Sequence, residues 1–164
     1  MDADGLTVRL ARVEDAAAMA AVHVQSWRET YRGLMPDTVL DAPDAIARRT
    51  RMWTTVLSEP ERGNESAVAL LGDSVIGIAM VGPPLDDDAT WQRQLMVLYL
   101  LKQYQGSGVA LPLISEVLDP ETPASLCVAD PNPRAQAFYR KIGFSCDGQE
   151  VTEDGLREVR MVRR

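Results

Sequence analysis

Apolar and polar residues follow two different periods along the chain. Short alternating or wholly apolar runs, typical of strands, cover residues 6–12, 66–71, 74–81, 95–101, 124–128, 144–151 and 157–162. Helical patterns cover residues 14–31, 44–57, 108–118 and 134–142. The predicted order is β-α-α-β-β-β-α-β-α-β-β. It indicates an α/β (α+β) domain with a mixed sheet and helices on both faces.

Turn residues separate these elements. Gly72-Asp73 between two apolar runs predicts a β-hairpin, and Glu153-Asp154-Gly155 predicts a second one at the end of the chain. Residues 95–101 are nearly all apolar, as expected for a central strand covered on both faces. Gly143 stands where a helix commonly ends in a left-handed residue.

The size and charge of the chain limit the number of domains and the kinds of partner that are expected. With 164 residues and 18.0 kDa, we expect one domain spanning residues 1–164. A net charge of −7 and a pI near 4.7 argue against a nucleic-acid partner. No apolar run reaches the roughly 20 residues that span a bilayer, so no membrane partner is expected. The acidic segment Met1–Asp4 has no apolar signal core, which predicts a cytoplasmic protein.

Cysteine and histidine are scarce. Cys127 and Cys146 lie in apolar, strand-like runs and are interpreted as core thiols in a reducing compartment. The single histidine, His23, excludes sites that need two or three imidazoles. We therefore expect no metal site.

A glycine-rich turn, residues 105–110, joins the apolar strand 95–101 to a helix. Glycines let a backbone approach a bulky anion, and helix starts expose free N–H groups, so this turn is either a diphosphate cradle or a plain strand–helix connection. A dinucleotide fingerprint would need glycine at Leu111. The chain also lacks the Gly-Lys-Ser/Thr end of a P-loop.

A second segment, residues 132–144, predicts an amphipathic helix. Ala135, Phe138 and Ile142 share one stripe of it and are expected to face the core. Tyr139 lies at the edge of that stripe. Two interpretations are open: its phenol reaches a cleft, or its ring packs against the core while the hydroxyl is solvated.

Together the two segments resemble the GNAT superfamily of N-acetyltransferases over residues 98–144. The acetyl-CoA motif Gln/Arg-x-x-Gly-x-Gly/Ala is filled by Gln105, Gly108 and Ala110. The later motif Asn-x-x-Ala-x-x-Phe-Tyr-x-x-x-Gly-Phe is filled by Asn132, Ala135, Phe138, Tyr139, Gly143 and Phe144. The first strand and helix resemble the family more weakly. The resemblance implies a mainly antiparallel sheet of about seven strands, with a splayed parallel pair, 95–101 and 124–128, in its middle.

The resemblance also implies acetyl-CoA as cosubstrate, with no metal. The backbone of Leu98, Tyr99 and Leu100 would bond the pantetheine amides, and N–H groups between Gly106 and Ala110 would hold the pyrophosphate. The full expected contact set is Leu98, Tyr99, Leu100, Gln105, Gly106, Ser107, Gly108, Val109, Ala110, Asn132, Ala135, Phe138 and Tyr139. Lys102, where the family often has proline, and Pro112, early in the pyrophosphate helix, depart from the pattern without excluding binding.

Tyr139 matches the general acid of the family, which protonates the departing thiolate. The base is open. Gln94 occupies the usual neighbourhood of a carboxylate base but is an amide, so it cannot accept the proton. Glu29 and Asp86–Asp88 are candidates, although the aspartates also fit a plain solvated loop, and a water relay is the default expectation.

His23, Trp27 and Tyr31 recur every four residues and share one helix face. They resemble the substrate-side helix of a bacterial GNAT branch. The resemblance implies that these side chains form one wall of the site for the acceptor amine (the acceptor wall), and that the loop 33–41 borders this site. They also fit a helix face packed on the sheet.

The expected activity is transfer of acetyl from acetyl-CoA to a primary amine by direct attack, with a small molecule as acceptor. The alternatives are an idle acyl-CoA-binding sensor, or acetylation of a protein N-terminus or lysine. A homodimer is possible through exposed strand edges.

Overall fold

The computed structural model describes residues 5–164, so the acidic segment Met1–Asp4 lies outside the described residues. The elements are β1 (Leu6–Leu10), α1 (Ala16–Tyr31), α2 (Asp37–Leu40), α3 (Ala45–Ser58), β2 (Glu65–Leu71), β3 (Ser74–Gly82), β4 (Arg93–Leu100), α4 (Ala110–Ser115), β5 (Ala124–Ala129), α5 (Pro133–Lys141), β6 (Ser145–Glu153) and β7 (Leu156–Arg163). The predicted order is confirmed, with the four-residue helix α2 added inside the predicted loop 33–41.

The seven strands form one sheet in the order β1-β2-β3-β4-β5-β7-β6. Among the described strands, β4 and β5 are the one parallel pair, and the other neighbours are antiparallel. Both predicted hairpins form. In the second, Asp154 and Gly155 have φ values of 50° and 76°, the doubly positive geometry that suits a two-residue hairpin turn.

The parallel pair separates soon after it begins. Only Arg93–Leu95 of β4 pair with β5, where they lie opposite Ala124–Leu126. Beyond that point β4 stays paired with β3, as far as Leu100, and β5 stays paired with β7. The two edges that face each other therefore diverge and carry main-chain polar groups without a strand partner. This confirms the splayed pair and opens the sheet in its middle.

Helices cover both faces of the sheet. On one face Leu113, Tyr139 and Phe144 belong to a core cluster that includes residues of α4 and α5. On the other face α1 and α3 pack over the sheet, and Trp53 of α3 is completely buried there. Removing a buried tryptophan of this kind typically costs about 3–5 kcal/mol of stability. Among residues 5–164, no helix has the length and apolar character required to cross a bilayer.

Three local expectations need correction. The helix predicted to run to Leu118 ends at Ser115, and the first long helix starts at Ala16 after a 3-10 turn. Pro112 lies in the first turn of α4, where its missing N–H costs no intrahelical bond. The prediction that both cysteines are core thiols is wrong.

Both thiols are exposed because of where their strands lie. Cys127 follows the last β4–β5 pair, so its side chain opens onto the gap between the strands. Cys146 lies on β6, the outermost strand, next to a shift in the β6–β7 register. An apolar run along the sequence cannot distinguish a strand in the middle of a sheet from one at a gap or an edge.

Candidate active site

A cleft of about 590 Å³ lies where β4 and β5 diverge. Its walls bring together the two segments singled out in the sequence. The predicted contact residues that line it are Leu98, Tyr99, Leu100, Gln105, Gly106, Gly108, Ala110, Asn132, Ala135, Phe138 and Tyr139. The free edge of β4 therefore faces the glycine-rich turn and the start of α5 across one cavity.

Ser107 and Val109 are not part of these walls. The Val109 side chain is buried in the core, at 1% exposure. The Ser107 hydroxyl and N–H both donate to the carbonyl of Tyr104, at 2.5 Å and 3.3 Å. The Ser107 N–H is therefore already used inside the turn, and the assignment of the N–H groups from Gly106 to Ala110 to the pyrophosphate stays a prediction.

The turn is shaped to keep its backbone open. Gly106 and Gly108 have φ values of 78° and 88°, a region that side chains with a Cβ avoid. Neither of their N–H groups donates to a backbone carbonyl of residues 5–164. A Cβ at Gly106 would lie 2.8 Å from Nη2 of Arg134, so the guanidinium closes over the bare backbone. Lys102 and Lys141 also line the cleft, which makes this wall cationic.

Tyr139 is held in the cleft wall by its own ring. The ring packs edge-on against Phe138 and Phe144, with centroids 5.5 Å and 6.2 Å away. The residue is buried, at 8% exposure, yet it lines the cleft. Burial raises the pKa of Tyr139 well above its usual range, and the neighbouring Tyr99 adds to this. The phenol therefore keeps its proton at neutral pH.

Asn132 performs a structural task as well as lining the cleft. Its Oδ1 accepts a hydrogen bond from the Ala135 N–H at 3.3 Å, which caps the N-terminus of α5. Gln136 also ties the helix to β5, since its Nε2 donates to the Ala129 carbonyl at 3.1 Å. These contacts fix the direction of α5 and so the position of Tyr139.

A second cavity, of about 550 Å³, lies on the α1–α3 side of the sheet. It shares Met96, Val97 and Tyr99 with the first cleft, so the two cavities meet at β4. His23 and Trp27 line the second cavity, whereas Tyr31 lines the first. The predicted acceptor wall is therefore divided between the two.

His23 has the packed environment of a core residue. It is 3% exposed, and its Nδ1 accepts a hydrogen bond from Nε1 of Trp53 at 3.2 Å. Burial lowers the pKa of His23 to about 3, and the positive charge of Arg49 contributes. The imidazole is neutral at physiological pH.

Of the carboxylates considered as bases, Glu29 lines the first cleft, whereas Asp86–Asp88 line neither cavity. The Glu29 oxygens accept from the Lys102 N–H at 2.8 Å and the Gln25 amide at 3.0 Å, which ties α1 to the end of β4. Both oxygens of Asp88 accept from Arg160, at 2.8 Å and 2.9 Å, and this pairing lowers the pKa of Asp88. The acidic loop is thus exposed at Asp87 and Asp88, and Asp88 also pairs with β7.

Comparison with known proteins agrees with this geometry. The family profile described as "Acetyltransferase (GNAT) domain" matches residues 45–164. A probable N-acetyltransferase of Mycobacterium tuberculosis is 30% identical over 97% of this chain and 91% of its own length. An uncharacterized N-acetyltransferase of Bacillus subtilis is 33% identical over 65% of this chain and 60% of its own.

The chain belongs to the GNAT family of acetyltransferases. A solved structure with the same fold is the PaiA N-acetyltransferase of Thermoplasma acidophilum in complex with coenzyme A. It has a TM-score of 0.77 at 18% identity and covers 97% of this chain and 98% of the other. The splayed sheet is thus that of an acetyltransferase.

In this GNAT acetyltransferase, several charged residues of the two cavities have no counterpart in the sequence predictions, among them Arg134, Arg49 and Glu158. Arg134 could have been suspected from its position two residues after Asn132, at the start of a helix beside the glycine turn. Glu158 and Arg49 carry no sequence signal, because they reach the second cavity from β7 and α3, which are far apart in the chain.

Proposed function

We propose that this acetyltransferase moves an acetyl group from acetyl-CoA to the primary amine of a small molecule, by direct attack of the amine. One observation carries the proposal: the edge of β4 that has no strand partner and the Tyr139 phenol line the same cleft. Residues 1–164 act in this proposal as one catalytic domain. The cytoplasmic location and the homodimer stay predictions.

The residues of the cleft fit the coenzyme. The backbone from Leu98 to Leu100 would take the place of a strand partner toward the pantetheine amides, and one of its N–H groups would polarise the thioester carbonyl. Preorganised donors of this kind are typically worth about 3 kcal/mol each. When bound, acetyl-CoA supplies an acetyl group activated as a thioester.

The cationic wall would hold the phosphates. Gly106 and Gly108 leave room for the diphosphate against the bare backbone, and the guanidinium of Arg134 lies directly beside them. Charge-assisted bonds from arginine to phosphate are stronger than neutral ones. Lys102 and Lys141 extend the positive potential along the same wall.

Tyr139 would donate its proton to the departing thiolate. Since burial raises the pKa of the phenol, it keeps its proton at neutral pH and would pass it to the thiolate sulfur as the C–S bond breaks. A water relay would carry the proton away from the amine. Glu29 lines the cleft and already accepts two hydrogen bonds, whereas Asp88 lies outside the cleft and pairs with Arg160.

The second cavity supports a small acceptor. Its volume of about 550 Å³ is in the range of small-molecule sites, and it meets the first cleft at Tyr99. Part of the loop 33–41 forms its border through Met35, Val39 and Leu40.

The test is Tyr139→Phe. The ring stays packed while the proton is lost, so we expect kcat to fall about 10²–10⁴-fold with little change in acetyl-CoA binding. Turnover is followed by release of the coenzyme A thiol, and binding by calorimetry. Tyr104→Phe is the matched control, because Tyr104 is not part of the cleft wall. Full turnover by Tyr139→Phe would remove the phenol from the mechanism.

A further inference from the structure

The second cavity has charged side chains of opposite sign on separate walls: Arg48 and Arg49 from α3, and Glu153, Asp154 and Glu158 from the β6–β7 hairpin. Of these five, Glu158 and Arg49 are the two that are not exposed. Glu158 reaches it from β7 and Arg49 from α3, and both are partly buried. Within residues 5–164, neither side chain forms a salt bridge. Partly buried charges without a partner are costly, and they are common where a ligand supplies the missing charge.

Arg49 is fixed in place by contacts that leave its charge unused. Its guanidinium lies over the Trp27 ring, 4.9 Å from the centroid, and Nη1 is 3.5 Å from the Met52 sulfur. The neighbouring Arg48 is different, because it is exposed and pairs with Asp44 at 3.2 Å. Of these two arginines, Arg49 is the one that presents an unpaired cation to the cavity.

The position of Glu158 along the cavity follows from the pairing of β7 with β5. Glu158 lies opposite Ala129 of β5, and the preceding β5 residues, Cys127 and Val128, line the first cleft. The carboxylate is therefore at the end near the first cleft. Its charge agrees with this position, since it raises the pKa of the Cys127 thiol.

Arg49 lies on the helical side of the same cavity. Its guanidinium lies over Trp27 of α1, a residue that lines the second cavity and not the first. Glu158 and Arg49 therefore face the cavity from separate elements, β7 and α3.

The wall between the two charges is apolar and adaptable. Four methionines line it: Met35, Met52, Met80 and Met96. Thioether side chains are flexible and polarizable, so they fit apolar groups of different shape. A ligand can therefore place a hydrocarbon segment between its two charged ends.

We propose that the acceptor is an amino-carboxylate whose ammonium group is bound by Glu158 and whose anionic group is bound by Arg49, with an apolar segment against the methionines. The proposal rests on the proposed acetyl transfer and adds the class of acceptor. Glu158 holds the amine beside the first cleft, where the thioester would lie, and Arg49 selects for the negative charge at the far end.

The experiment compares acceptors that differ only in the anion. Leucine and 5-aminopentanoate are each paired with their primary amide and with the amine that lacks the carboxylate. The phosphonate analogue of leucine separates recognition of a carboxylate from recognition of any anion. The full-length protein is assayed by thiol release, and binding is measured by quenching of tryptophan fluorescence, since Trp27 forms part of the wall.

We expect kcat/KM for the better acid to exceed that of its amide by at least tenfold, and we expect the acid to bind more tightly. Arg49→Met, which keeps the stem that contacts Met52, should make acid and amide equal. Arg51→Met, which changes an exposed arginine of α3 that does not line the cavity, should retain the preference. Glu158→Gln should weaken the acid and the amide by similar factors, because both carry the ammonium group.

The results separate the two proposals. Equal use of acid and amide by the wild-type protein, or a preference that survives in Arg49→Met, overturns the acceptor class. So does a protein that binds acetyl-CoA but acetylates none of the acids. A wild-type protein that fails to bind acetyl-CoA would instead overturn the proposed function. A phosphonate that outperforms leucine would replace the carboxylate by a more highly charged anion and so contradict the amino-carboxylate assignment.

Discussion

The stability of the protein should depend on pH through one residue, His23. It is the single histidine of the chain, it is buried, and its Nδ1 accepts the Trp53 indole N–H. Burial lowers the pKa of His23 to about 3, with Arg49 contributing, whereas an unfolded histidine titrates at about 6.5. At pH values between these two pKa values, His23 binds a proton in the unfolded chain but not in the folded chain.

The sign and size follow from proton linkage. The stabilisation is complete above the unfolded pKa and is lost as pH falls below about 6.5, with a limiting slope of about 1.4 kcal/mol per pH unit. From pH 6.5 to pH 5.0 the free energy of unfolding should therefore decrease by about 1.6 kcal/mol. Carboxylates whose pKa is lowered in the fold, such as Asp15 and Asp88, contribute mainly below that window. Glu158, whose pKa is raised by burial, acts in the opposite direction.

The assay is urea unfolding, followed by circular dichroism at half-unit steps from pH 5.0 to pH 7.5. His23→Gln is the control, because an amide oxygen can accept from Trp53 but does not titrate. The variant is expected to be less stable throughout yet to lose most of the slope. A wild-type profile that is flat between pH 6.5 and pH 5.0, or a slope of equal size in His23→Gln, would refute the assignment.

Two further predictions concern the first cleft. Gly106→Ala and Gly72→Ala both place a Cβ at positive φ, so each should cost about 1–2 kcal/mol of stability. Only the Cβ of Gly106→Ala would clash with Arg134, so this variant should raise the KM for acetyl-CoA about tenfold or more. An equal rise in KM for Gly72→Ala would contradict the role of the glycine-rich turn. Cys127 is exposed at the cleft wall, but partial desolvation there raises the pKa of its thiol to about 11. Cys127 should therefore be alkylated more slowly than Cys146 and be protected further by acetyl-CoA. Peptide mapping after iodoacetamide treatment measures both rates, and unchanged labelling of Cys127 with the coenzyme present would place its thiol outside the bound region.

Much of the fold could be predicted because it depends on neighbouring residues. The doublet Gly72-Asp73 and the turn at Asp154-Gly155 specify hairpins through their own backbone preferences. The helix 134–142 was predictable from its period, and Asn132 caps it within three residues. The two motifs around Gly106 and Tyr139 also indicated which segments would line the cleft, since each motif is local.

Other features were not predictable from the local pattern. Helix α2 is four residues long, too short to show a helical period, and is braced by Arg32, which pairs with Asp37 and Asp41. The remaining features depend on distant segments. The exposure of Cys127 depends on where β4 leaves β5. The engagement of Asp88 depends on Arg160, 72 residues away along the chain.

By itself, the sequence determined the kinds and order of the main elements and the two motifs that indicate a GNAT acetyltransferase. These follow from hydrophobic period and turn chemistry, which act over a few residues. The tertiary structure alone decided where β4 separates from β5, after Leu95 and Leu126, and that Glu158 and Arg49 face one cavity from separate elements. The physical reason is that burial and charge pairing depend on which surfaces meet in three dimensions, and that meeting is set by the packing of the whole chain.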